Sequence, residues 1–407
     1  MLSPPLNATK TVPSDGSWAS VVAVSLGAFV LVSSECAPIG LLSQIAQDLQ
    51  ITEGAAGLLI TFPGVIAAIA APVSIALLGK VNRRAILCGL LLALSLSNFV
   101  VAISTSIFPV LAARAMLGVS LGGFWTIATS AGSRLRPPDQ TLRATSIIYS
   151  GISMGTVAGV PASTLLGDWL GWRVTFNVWG LIGVFALIGL VRTLPSLPPL
   201  PRSGTHNISG LLRLPKLRIG LAAIVLMLVG HFCAYTFVAP FLDQSAGVTG
   251  SQLSGFLLVY GIAGLAGNWL GGWYTSKNLT GVIAIAATGL ALSLASLTIA
   301  NTSVVGLLGL AGWGVFSGAL PITTQLYVFN AAPDDKESIA AVCVSIGQVS
   351  IAAGAFAGGL AVDFYDVRGA ILLGAALALA LASMMIRVSI GEAQNVARMR
   401  VREFPNG

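Results

Sequence analysis

Polar residues in this chain gather in short clusters, and the stretches between them are apolar for roughly 20 residues at a time. A helix rising about 1.5 Å per residue needs that length to cross a bilayer core. Twelve such helices are predicted, near Trp18–Ala46, Ala55–Leu78, Ala85–Ile103, Phe108–Gly132, Ser146–Leu166, Val174–Val191, Ile219–Leu242, Leu253–Trp273, Val282–Ala300, Val304–Phe329, Ser338–Val362 and Ala370–Val388.

Composition agrees with the pattern. Of 407 residues, 55% are hydrophobic, 9% are charged and 47 are glycine, whereas a soluble domain carries roughly 25% charged residues. This is an all-α polytopic membrane protein; the runs are too apolar for an outer-membrane barrel. A basic patch for nucleic acid is excluded by how the net charge of +7 is distributed. Arg83 and Arg84, then Arg134, Arg136 and Arg143, then Arg192, Arg202, Arg213, Lys216 and Arg218, then Arg387, Arg398, Arg400 and Arg402 all fall at one side of the predicted spans, with Lys10, Lys80, Lys277 and Lys336. The other side has Arg173 and Arg368. The positive-inside rule makes the first side cytoplasmic and puts both termini there. The short N-terminal arm lacks a basic n-region with a cleavage site, so the first span is expected to be retained. Cys36, Cys88, Cys233 and Cys343 lie within apolar segments at spacings that give neither a metal motif nor a disulfide framework.

The longest connection holds Leu194-Pro195-Ser196-Leu197-Pro198-Pro199-Leu200-Pro201, which excludes helix and favours an extended linker. The expected organisation is a cytoplasmic arm (1–17), a six-helix bundle (18–192), the linker (193–217), a second six-helix bundle (218–390) and a cytoplasmic tail (391–407). One constant offset superposes Pro138 on Pro333, Asp139 on Asp334, Gly159 on Gly354, Asp168 on Asp363 and Arg173 on Arg368. Such a parallel repeat is the internal symmetry of a two-bundle secondary transporter with its site between the halves.

These features resemble the major facilitator superfamily, and within it the bacterial 12-span drug:proton antiporter type. The resemblance rests on Glu35 with Pro38-Ile39-Gly40-Leu41-Leu42, on Arg114 with Gly118 and Gly122, on Gly171-Trp172-Arg173 with Phe176, and on Gly230-His231-Phe232 with Tyr235 and Pro240. Leu121-Gly122-Gly123-Phe124-Trp125, Arg136-Pro137-Pro138 and Leu194-Pro195-Ser196-Leu197-Pro198 are most similar to purine ribonucleoside efflux pumps. Sugar and chloramphenicol-type exporters share most other features and stay open as alternatives. The resemblance implies a monomeric, proton-coupled exporter of a small solute in the bacterial inner membrane, working by alternating access without a cofactor. There are two departures. Gly79-Lys80-Val81-Asn82-Arg83-Arg84 lacks the family's Asp, and Val160-Pro161 replaces its Gly-Pro pair in span five.

Glu35 stands out because an intramembrane carboxylate costs roughly 2.5–3.5 kcal/mol to insert and therefore marks a function or a partner. Arg114, about 9 Å from the outer end of its span, is the candidate partner, with Glu35 about 16 Å from the outer end of span one. The pair reads either as a proton switch or as a structural ion pair joining spans one and four. Trp125, Tyr149, Ser153, His231, Tyr235, Tyr260, Trp313, Gln325 and Gln348 are candidate substrate contacts, with Asn268 a further cavity liner. His231 and Tyr235 share a helix face, suited to a nucleoside or sugar; a histidine satisfied by its neighbours is the alternative. An enzyme would need a clustered nucleophile and base or metal ligands, and with two histidines, one of them in the linker, that set is missing. No nucleotide-binding loop is found.

Overall fold

The computed structural model describes residues 17–77, 81–197, 213–274, 278–299, 302–331, 333 and 336–403. The N-terminal arm, most of the Pro-rich linker with His206, and the Asp139–Asp334 repeat match fall wholly or partly outside the described residues. The described chain is helical: α1 Trp18–Leu49, α2 Glu53–Ala56, α3 Leu58–Leu77, α4 Arg83–Ile103, α5 Ile107–Leu135, α6 Thr141–Leu170, α7 Trp172–Thr193, α8 Pro215–Tyr235, α9 Val238–Ala246, α10 Gly250–Tyr274, α11 Leu279–Thr298, α12 Ser303–Ala331, α13 Lys336–Phe364 and α14 Val367–Glu403.

Eleven helices among the described residues are long and apolar enough to cross a membrane. The fifth expected span, α6, is 30 residues long but falls outside that set because serines, threonines and glycines dilute its hydropathy. It packs between α1 of its own half and α10 of the other. The seventh expected span is broken. Pro240 has no N–H for the carbonyl of Thr236, so α8 stops at Tyr235 and α9 restarts with Pro240 in its first turn, where a missing donor costs little. Span two starts earlier than its apolar run, with the Thr52 side chain accepting from the Ala55 N–H as a cap. The last helix continues to Glu403, well into the stretch expected to be tail.

Two six-helix bundles form; one apolar core lies within the first, and that of the second extends to Ile39, Ile60 and Val160 of the first. Glycine sets the closest helix approaches. In the pair α10–α12, a Cβ on Gly314 would lie 2.5 Å from the carbonyl oxygen of Tyr260, and one on Gly267 would overlap the carbonyl of Val315. Only small residues let backbones approach this closely.

Polar contacts between the halves gather at the end where α1 meets α2 and α13 meets α14. There the Asp363 carboxylate accepts from the Gly54 N–H and the Thr52 hydroxyl, each at 3.2 Å. The Glu53 carboxylate accepts from Gln244 at 3.2 Å, and the Ser254 hydroxyl donates to the Pro161 carbonyl at 2.8 Å. Asp168 lies against Gly250, the first residue of α10. The repeat partners Asp168 and Asp363 thus occupy matching places, each carboxylate at the first turn of a helix in the opposite half, where the helix dipole favours negative charge. Arg173 pairs with Asp48 at this same end.

Candidate functional site

Glu35 sits in the middle of α1, between Ser34 and Ala37, both buried. Its side chain is half-buried, and its carboxylate makes no hydrogen bond or ion pair among the described residues. Arg114 on α5 is fully buried. Its guanidinium reaches α1 through the backbone rather than through the acid: Nη1 donates to the Ser34 carbonyl at 2.8 Å and Nη2 to the Glu35 carbonyl at 3.0 Å. Nε donates to the Leu59 carbonyl of α3 at 2.8 Å. The residues therefore touch, but the Glu35 carboxylate is left without a cationic hydrogen-bond partner. Hydrogen bonds from a charged donor are worth about 1.5–3 kcal/mol each, so Arg114 ties α1, α3 and α5 together at the depth of Glu35.

Cys36, next along α1, packs on the core of the second half. The adjoining part of that core is an aromatic cluster. His231 and Tyr235 stack at 5.1 Å, Tyr235 and Tyr260 at 4.8 Å, and Trp313 meets Tyr260 edge-on at 5.5 Å. His231 and Tyr235 lie four apart on α8, Tyr260 comes from α10 and Trp313 from α12, so three helices build one wall. Polar atoms within it form a chain. An indole N–H only donates, so Trp313 Nε1 donates to His231 Nδ1 at 3.3 Å. The other ring nitrogen, Nε2, then carries the hydrogen and donates to the Tyr260 hydroxyl at 3.3 Å. Tyr260 passes the chain to Ser317 at 3.2 Å, and Ser317 to the Gly314 carbonyl at 3.2 Å. Both nitrogens of His231 are consumed inside the protein.

Against this wall lies a cavity of ≈ 330 Å³, lined by α6, α8, α10, α11 and α12. Ser153, His231 and Tyr260 line it, as do Asn268, Thr156, Phe232 and Ser317. The Ser153 and Thr156 hydroxyls donate to carbonyls of their own helix, to Tyr149 and Ile152, which leaves their oxygens as acceptors toward the cavity. Asn268 has no hydrogen bond among the described residues and offers both a donor and an acceptor. Tyr235 and Trp313 back the wall. Trp125, Tyr149, Gln325 and Gln348 are not among the lining residues. Tyr149 is 44% exposed, one turn before Ser153 on the same face of α6, and Gln348 is buried on α13, its backbone carbonyl against Gly64 of α3. Ser317 and Thr156 were not picked out from sequence. The available signal for Ser317 was its spacing of four from Trp313, which gives both one face. No group of three metal-ligating side chains occurs among the described residues.

A bundle of this topology around a central aromatic cavity has relatives. Residues 24–355 match the family model for the Major Facilitator Superfamily. The chain belongs to the major facilitator superfamily. Transcription regulatory protein OpdE of Pseudomonas aeruginosa is 32% identical over 91% of this chain and 94% of its own length. Purine ribonucleoside efflux pump NepI of Escherichia coli O6:K15:H31 is 31% identical over 89% of this chain and 92% of its own. Among solved structures, a bacterial homologue of the lysosomal transporter Spinster, inward-facing and occupied, superposes with a TM-score of 0.72 at 15% identity, covering 91% of this chain and 96% of that one. The human organic anion transporter MFSD10 gives 0.62 at 18% identity, covering 90% and 98%. Those likenesses are of fold. The protein is a multi-pass membrane transporter of this superfamily and not an enzyme.

Proposed function

We propose that the protein is a proton-coupled exporter of a small planar solute, of which a purine ribonucleoside is the leading case. One observation carries the reading: a half-buried carboxylate without a cationic hydrogen-bond partner, mid-span, one residue from a side chain packed on the core that walls the cavity. Glu35 takes up a proton when the crevice between the halves opens outward and gives it up inward. Substrate moves the other way. Stacked rings suit the π-face of a base, and Ser153, Thr156 and Asn268 suit polar edges and a ribose. The identity with purine ribonucleoside efflux pumps supports the substrate class.

Contacts between the halves at the end of the α1–α2 and α13–α14 turns support a conformation closed there. With both termini cytoplasmic, as the loop charges imply, that is the inward-open state in a bacterial inner membrane. Arg114 stays the cationic neighbour of Glu35 in this reading, and its hydrogen bonds hold the backbone around it. Purified protein in liposomes with an imposed pH gradient tests the function. Accumulation of labelled inosine or adenosine with counter-movement of protons is expected. Nucleoside flux indifferent to the gradient would overturn the coupling, and gradient-driven flux of a sugar or an amphenicol with none of nucleoside would overturn the substrate.

A further inference from the structure

In an α-helix the carbonyl of residue i accepts from the N–H of residue i+4, and proline has no N–H to give. Pro38 therefore takes the helical partner away from the Ser34 carbonyl in α1, and Pro63 takes it away from the Leu59 carbonyl in α3. Those are two of the three carbonyls to which Arg114 donates, each at 2.8 Å. The third is that of Glu35 itself. Close packing makes the reach possible: Gly118, one turn along α5, lies against Pro63, and a Cβ there would come within 2.6 Å of the Pro63 carbonyl.

We infer that Arg114 is a positioning residue whose guanidinium replaces the two backbone donors lost to Pro38 and Pro63, and so fixes the backbone that carries Glu35. Its planar fork can serve two helices at once, which a lysine ammonium cannot do with the same geometry. In this account the hydrogen bonds of Arg114 go to backbone carbonyls, and none of them holds the Glu35 carboxylate.

The sequence carries the suppressors of its own loss. Arg114→Met, Pro38→Ala with Pro63→Ala, and the triple variant are compared as full-length protein, by thermal stability in detergent and by the pH profile of driven transport in liposomes. Arg114→Met is expected to lower the melting temperature strongly in the native background. It should lower it by less than half as much where the two alanines restore the N–H groups. The triple variant is expected to recover driven transport with the pH midpoint of its Pro38→Ala, Pro63→Ala parent. An equal loss of stability in both backgrounds, or a triple variant that does not fold, overturns the inference. So does a stable triple variant that moves substrate but has lost its response to the pH gradient, because Arg114 would then be the electrostatic partner of Glu35. The transport arm rests on the function proposed above and the stability arm does not. A native protein without proton coupling sinks that function while the suppression result still decides this one.

Discussion

Replacing His231 with phenylalanine keeps a ring of similar size in the stack and removes both nitrogens. Trp313 is wholly buried, and its Nε1–H loses the acceptor it has at 3.3 Å. A buried donor left unsatisfied costs about 1–3 kcal/mol. Tyr260 loses its 3.3 Å bond from Nε2 but keeps Ser317, so this second loss is a net hydrogen bond of about 1 kcal/mol. The sum is about 2–4 kcal/mol. In a Trp313→Phe background there is no indole to orphan, and the same change should cost about 1 kcal/mol. A double-mutant cycle measured by unfolding in mixed micelles therefore has an expected coupling of about 1–3 kcal/mol. Independent sites add to within about 0.5 kcal/mol. An additive result would refute the hydrogen-bond chain and reduce the cluster to stacked rings.

Other consequences are directly measurable. Gly267→Ala drives a methyl group into the backbone carbonyl of Val315 and should destabilise by about 1–3 kcal/mol. Gly255→Ala in the same helix meets nothing within 4 Å and should be neutral or stabilising by up to about 1 kcal/mol; thermal shifts of the two variants distinguish close packing from general sensitivity of α10. Neutralising both repeat-related acids, Asp168→Asn with Asp363→Asn, removes two charge–dipole contacts of about 0.3–1 kcal/mol each. Thiol labelling of a cysteine placed at Ala56, buried at this contact, should then rise several-fold as that end opens more often, and unchanged labelling would contradict their role in closure. Asn268→Leu should raise the KM for nucleoside without changing the response to the pH gradient, as uptake into liposomes over a substrate series would show.

Most of the architecture was legible because span length is a hard constraint: an apolar run of the right length has one use. The polar clusters around Arg83, Arg134 and Arg213 marked the turns at one end of the spans, and Asp168 with Asp363 marked the repeat. The break at Thr236 was less visible, although Pro240 supplies its cause. Face was the weakest element. In a helix apolar nearly all round, periodicity does not say which side meets the partner, so Tyr260 and Gln348 had equal standing. The structure turns Tyr260 to the cavity and buries Gln348 on α13 away from its lining. Arg114 was found from its charge, yet its partners were not, since helix rise gives a depth and says nothing of carbonyl against carboxylate. The signal was present nonetheless, in prolines four residues beyond Ser34 and Leu59.

The central claim is that Glu35 carries the proton that drives export. Its most direct test is purine ribonucleoside flux in liposomes with and without an imposed pH gradient, for the native chain and for Glu35→Gln. The account predicts that the variant still binds and exchanges nucleoside but that the gradient no longer accelerates or concentrates it. Gradient-driven flux at the native rate in Glu35→Gln would contradict it.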